Sequence, residues 1–274
     1  MLAAPDHLIL WDVVARREAA RQDFDNSFEG QVEFSPDGKT VCVTSAGSAR
    51  WFEMPSLRLL KKEPADQLVF AQDGGFAMLA RQGQIIRRDY PSGVEVSLGS
   101  SATTGKTSSA ALSPDGETFV IAGEEGKMAL WHTHRPGPPT MLEGHKGRII
   151  IVAFSPDGKW IASASWDGTI GLWQPNGRNI RFLRGHNGPV WDVAFSRDGR
   201  TLASSGDDAT IKLWNLASMQ EAATLHGHDG PVSSVAFSPN GNYLASAGGW
   251  TVRLWNASTF EEISAPERMI EAKK

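Results

Sequence analysis

The sequence predicts an all-β chain made of a repeated unit of four short antiparallel strands, on three observations. The first is a recurring corner: Ser35-Pro36-Asp37-Gly38, Ser113-Pro114-Asp115-Gly116, Ser155-Pro156-Asp157-Gly158, Ser196-Arg197-Asp198-Gly199 and Ser238-Pro239-Asn240-Gly241, with Gln72-Asp73-Gly74 as a degraded copy. From Asp115 the next copies follow at steps of 42, 41 and 42 residues, a period that signals small units set side by side. The second is an apolar run before every corner, and the third is a tryptophan closing a later run at Trp51, Trp131, Trp173, Trp214 and Trp255, with a copy at Trp11.

Each element has a local reason. Ser at the first position, Pro preset near the required φ and Gly at the fourth suit a type I turn, so each corner joins two strands of a hairpin. The runs Ile149 to Phe154, Val190 to Phe195 and Val232 to Phe237 read as first strands. Trp160 to Ser165, Thr201 to Ser205 and Tyr243 to Ala247 read as second strands. A Gly/Asp turn and a run ending in Trp supply the third, and a segment such as Ile180 to Leu183 the fourth.

Gly144-His145 to Trp173-Gln174, Gly185-His186 to Trp214-Asn215 and Gly227-His228 to Trp255-Asn256 resemble consecutive WD repeats, with Gln or Asn where that family usually has Asp. The resemblance is strong after about Ser109 and weak before it. It implies a β-propeller of four-stranded antiparallel blades. Full blades are expected at 25–63, 64–100, 101–143, 144–184, 185–226 and 227–263. Residues Leu8 to Phe24 read as the third and fourth strands of another unit, giving an N-terminal two-strand half-blade at 1–24. The expectation is one propeller domain over 1–263 with seven blade positions, one incomplete, and a charged tail at 264–274. A shortened N-terminus or membership of a longer polypeptide would account for the missing strands; six blades with an appended hairpin is the alternative.

Composition narrows the function. A net charge of -4 and a pI near 6.0 give no basic footprint for phosphates, so no nucleic-acid partner is expected. No leader-like start and no apolar run of membrane-spanning length is present, so the expectation is a cytoplasmic chain without membrane contact. The single cysteine, Cys42, lies in the run Val41-Cys42-Val43 and reads as a small core residue. His132 and His134, like His226 and His228, lack Cys or carboxylate companions at ligand spacing, so neither metal nor cofactor is expected. Thr104-Gly105-Lys106-Thr107 resembles the end of a phosphate loop, but Ser100 stands where that motif needs its first Gly.

The resemblance implies a buried chain of polar side chains in each well-formed blade. His145, Ser163, Asp167 and Trp173 form one set, His186, Ser204, Asp208 and Trp214 the next, and His228, Ser246 and Trp255 a third that has lost its Asp. Indole donates, hydroxyl and imidazole do both, and carboxylate accepts, so each set is self-satisfying. The order Ser, His, Asp also invites a hydrolase reading. That reading fails if the hydroxyl is already engaged by indole and sealed in the blade. The unit ending at Trp131 has Glu125 at the Asp position and no Gly-His, and those near Trp51 and Arg88 keep little of the pattern. The first half is therefore expected to be held mainly by apolar burial and to exchange its amides faster.

By position in the family, the interaction face carries Trp166 and Asp207, each just before a turn Asp, and Ile150, Trp191 and Ser233 near the start of the first strand. Trp250 falls in the shortened turn of the last blade, and Lys146 and Arg148 lie nearby. Trp166, Trp191 and Trp250 are expected to converge as anchors for a peptide or protein partner, with Trp160 packing on the opposite side. The expected role is a non-catalytic scaffold or sensor, bacterial-looking and within a signalling assembly. An enzyme using the central channel is the alternative, but the inward positions are mostly apolar or small.

Overall fold

The computed structural model describes residues 2–4, 7–12, 17–24, 30–45, 47–100, 107–177, 180–249 and 251–256. These contain 26 strands in seven antiparallel sheets and no helix. The chain divides into two compact units, Met1–Thr103 with Trp131–Pro138 and Thr104–Leu130 with Pro139–Lys274.

In the first unit, β1 (Leu2–Ala4), β2 (His7–Asp12) and β3 (Arg17–Asp23) form a three-stranded sheet. The short strand β1 adds to the two expected there, pairing Ala3 with Leu8. Two four-stranded sheets follow: β4 (Gly30–Phe34), β5 (Thr40–Ser45), β6 (Ser48–Glu53) and β7 (Arg58–Pro64), then β8 (Gln67–Phe70), β9 (Phe76–Arg81), β10 (Gln84–Asp89) and β11 (Glu95–Ser100).

The second unit repeats the plan. Its sheets are β12 (Thr107–Leu112), β13 (Thr118–Gly123), β14 (Lys127–His132) and β15 (Thr140–Glu143); β16 (Ile149–Phe154), β17 (Ile161–Ser165), β18 (Thr169–Trp173) and β19 (Arg181–Arg184); and β20 (Val190–Phe195), β21 (Thr201–Gly206), β22 (Ile211–Asn215) and β23 (Gln220–Leu225). The last is β24 (Val232–Phe237), β25 (Tyr243–Gly248) and β26 (Thr251–Asn256). Its expected fourth strand and the tail at 264–274 lie outside the described residues, as does Thr104–Lys106.

The corners share one construction. At the fourth copy Ser196 Oγ donates to Asp198 Oδ1 at 2.7 Å, and Asp198 Oδ1 accepts from Arg200 N at 3.0 Å. Thr201 N donates to Ser196 Oγ at 2.9 Å and Gly199 N to Ser196 O at 2.9 Å. Gly199 takes φ +67°, which a side chain would resist. Asn240 substitutes for Asp without loss, its Oδ1 holding Ser238 Oγ at 2.7 Å and Asn242 N at 3.0 Å.

Within the second unit β13, β17 and β21 are almost wholly buried, and each packs on the first strand of the next sheet. Trp173 packs with Val120, Met128 and Leu130 of the preceding sheet, and Trp214 with Ala162 and Leu172. Trp160 packs against the second of these cores. In the first unit Cys42 is 1% exposed and shares a core with Trp51, Leu68 and Leu79.

The first strands of all four sheets in the second unit carry a register shift at one place: Thr107/Ser109, Ile149/Ile151, Val190/Asp192 and Val232/Ser234. No such shift interrupts the pairing of β4 with β5 or of β8 with β9. The residue skipped by the pairing is Ser108, Ile150, Trp191 or Ser233. Ser108 and Ser233 donate their hydroxyls to Ala122 O and Ala247 O of the paired strand, each at 3.2 Å, whereas Ile150 and Trp191 leave the ladder free of any demand on their side chains.

Candidate functional site

The turns before the first strands and after the second strands bring the polar sets together. His145 Nε2 lies 2.7 Å from Ser163 Oγ and Nδ1 3.0 Å from Asp167 Oδ2, while Trp173 Nε1 donates to Ser163 Oγ at 2.8 Å. Asp167 also accepts from Lys146 N at 2.8 Å and from Thr169 Oγ1 at 2.6 Å. These bonds fit a neutral imidazole with its proton on Nδ1, leaving Nε2 to accept from the serine. Burial pushes the His145 pKa below its usual value against the pull of Asp167. Burial also opposes ionisation of Asp167, but Thr169, the Lys146 amide and His145 outweigh it and hold the carboxyl at about 2.

The next set matches: His186 Nε2 to Ser204 Oγ 2.8 Å, Nδ1 to Asp208 Oδ2 3.0 Å, Trp214 Nε1 to Ser204 Oγ 2.8 Å. In the third, Trp255 Nε1 donates to Ser246 Oγ at 2.9 Å and His228 Nε2 lies 2.8 Å from the same oxygen. There Thr251 Oγ1 lies 3.2 Å from His228 Nδ1, as Thr169 Oγ1 lies 3.2 Å from His145 Nδ1, and the turn Asp of the other two sets is missing from the sequence. Ser163 and Ser204 are 0% exposed, and with an indole donating to each oxygen neither is presented to a substrate.

Above these sets lies a surface cluster. Trp166, on the turn after β17, is 50% exposed, and its ring meets that of Trp191 edge to face at 6.4 Å. Arg148 lies over Trp166 at 5.6 Å with its Nε buried and lacking a hydrogen-bond partner. Trp191 Nε1 donates to Asp207 Oδ1 at 3.2 Å, which fixes the ring. Beside Trp166 opens a cleft of about 220 Å³ lined by Thr169, Arg184, His186 and Gly188. Lys146, Asp207 and Arg184 are exposed. Trp250 lies outside the described residues.

The family model described as WD domain, G-beta repeat matches residues 137–174, 177–215 and 219–256. Residues 137–256 of the chain are three consecutive WD repeats. No curated protein sequence matches it. Each matched WD repeat runs from the outer strand of one sheet through three strands of the next, for example β15 to β18. Successive blades are thereby tied by the chain itself.

Before residue 137 the chain departs from the pattern, and the apolar cores there are joined by an ion-pair network that the sequence did not suggest. Trp51 Nε1 donates to Glu63 Oε1 at 2.9 Å, and Glu63 binds the buried Arg88 through two bonds of 2.9 Å. Arg88 also binds Glu95 at 2.7 and 2.9 Å, and Glu95 binds Arg81 at 2.6 Å. Charged side chains thus do in the first unit what the His-Ser-Asp sets do later. At Trp131 nothing replaces them: register aligns Ile121 with the serine position, and the buried indole Nε1 has no hydrogen-bond partner.

Two carboxyls on first strands also went unread in the sequence. Asp192 accepts Ser234 Oγ at 2.8 Å and Val235 N at 3.0 Å, joining β20 to β24. Burial pushes its pKa up to about 6 despite these donors. Glu33 on β4 is pushed up to about 7 by burial alone. Their signal was a single charged letter inside an otherwise uncharged first-strand run.

Proposed function

We propose that this chain is a non-catalytic scaffold that docks a peptide or protein partner on the surface carrying Trp166 and Trp191. WD repeats as a class mediate protein-protein interaction, which sets the general role. The observation that supports the particular face is an exposed indole held edge to face against a second indole, itself fixed by Asp207. A large rigid aromatic surface already ordered before binding loses little entropy on docking. Lys146, Arg148 and Arg184 make no ion pair among the described residues, so acidic groups on the partner would complete the rim. The reading places the chain in the cytoplasm as part of a multi-protein assembly.

The test is quantitative capture of binding partners from cells that express the chain, comparing wild type with Trp166→Ala/Trp191→Ala. Loss of a specific partner, with an unchanged circular dichroism spectrum and melting curve, supports the reading. Retention of every partner by a folded double variant overturns it.

A further inference from the structure

We propose that Asn187 is a spontaneous deamidation site, singled out from the other Asn-Gly steps by the structure around it. The sequence has three such steps, Asn176-Gly177, Asn187-Gly188 and Asn240-Gly241. In each, glycine offers an unhindered backbone nitrogen to the preceding amide. The fold treats them differently. Gly177 N donates to Gln174 O at 2.9 Å and Gly241 N donates to Ser238 O at 2.8 Å, so both nitrogens are committed. Asn240 is restrained further through Oδ1 by Ser238 and Asn242. Gly188 N has no hydrogen-bond acceptor among the described residues, and the Asn187 side chain is exposed.

The chemistry balances with water as the only co-reactant. Gly188 N loses its proton and attacks Asn187 Cγ; the new C–N bond forms as the bond to the side-chain nitrogen breaks, and ammonia leaves. Water then opens the resulting cyclic imide at either carbonyl. One product is Asp and the other is isoaspartate, each with a new negative charge.

The two products differ in consequence. Asp is the residue that the next repeat already has at this place, in His228-Asp229-Gly230. Isoaspartate inserts a methylene into the main chain between residue 187 and Gly188. Asn187 N donates to Asp208 Oδ2 at 2.8 Å, and Asp208 holds His186, so the added length strains the anchor of that buried set. Asp207 already borders this step, its Cβ lying 3.4 Å from the position where a Gly188 Cβ would stand. Any effect on partner docking rests on the functional reading above; the modification does not.

The test follows the intact chain through incubation at mildly alkaline pH, native and in urea, with Asp and isoaspartate quantified at all three steps by peptide mass mapping. In the native chain, residue 187 should convert at least about five-fold faster than 176 and 240, the rate equivalent of one backbone hydrogen bond. In urea the three rates should converge. Equal native rates, or a lead for 187 that persists unchanged in urea, would overturn the proposal. Asn187→Gln should abolish the product at that step alone, and isoaspartate persisting in the same peptide would likewise count against it.

Discussion

Trp51 donates its indole proton to Glu63 at 2.9 Å, whereas Trp173 donates to Ser163 at 2.8 Å. The same ring, closing a third strand, is satisfied by an ion-paired carboxylate in one sheet and by a neutral hydroxyl in another. The two solutions have different sensitivities.

Arg88 is 8% exposed and is the cation on which Glu63 and Glu95 converge. Arg88→Ala should cost about 3 kcal/mol in denaturant unfolding, because it removes the buried cation between two carboxylates and leaves Glu63 with Lys61 and Glu95 with Arg81 as their remaining ion pairs. Burial opposes the charge on Glu63, but the Arg88 and Lys61 contacts hold its pKa at about 2 against an ordinary 4.5. A carboxyl lowered in the fold contributes stability above its unfolded pKa. That contribution should therefore disappear as pH falls from 4.5 toward 2, and Arg88→Ala should flatten this part of the stability-pH curve.

Trp131 carries an indole N–H that is buried without an acceptor. Trp131→Phe should change stability by less than about 1 kcal/mol, since the lost ring area is offset by removal of an unsatisfied donor. Trp173→Phe should cost about 2 kcal/mol or more, because it breaks a satisfied chain. Equal costs in thermal unfolding would contradict the assignment.

Glu33 bears on pH with the opposite sign. Its pKa is pushed up by burial from an ordinary 4.5 to about 7, so ionisation opposes the fold as pH rises through that interval. Glu33→Gln should match wild type below pH 4.5 and be the more stable protein above pH 7. Urea midpoints across the range measure this, and parallel curves would exclude it.

Trp166 is half exposed and makes its ring contact with Trp191 at the surface. Trp166→Ala should shift stability by less than about 1 kcal/mol yet weaken a partner that uses the face by about 2 kcal/mol or more. Isothermal titration of a captured partner, paired with unfolding curves, separates the two effects.

The corners and strands were legible because their chemistry is local: Ser, Asp and Gly within four residues determine the turn, and an apolar run ending in Phe determines the strand before it. His145 and Asp167 were legible through a resemblance that assigns each letter a place. The link between Arg88 and Glu63 was not, since it joins side chains 25 residues apart and no local pattern marks it. Nor did the unmet Trp131 donor stand out, because that letter is the one the repeat expects; the change is at Ile121. The expected gathering of three indoles was reached for Trp166 and Trp191, while Trp250 lies outside the described residues.

The skipped residue of each first strand in the second unit gives these sheets an evolutionary degree of freedom. Ser108, Ile150, Trp191 and Ser233 range from hydroxyl to branched alkyl to indole at a point where the hydrogen-bonded ladder steps over them. At Ile150 and Trp191, unlike Ser108 and Ser233 with their bonds to the paired strand, mutation can rewrite what the surface greets without renegotiating how the strands pair. A lineage could therefore change allegiance from one partner to another while its scaffold stays put.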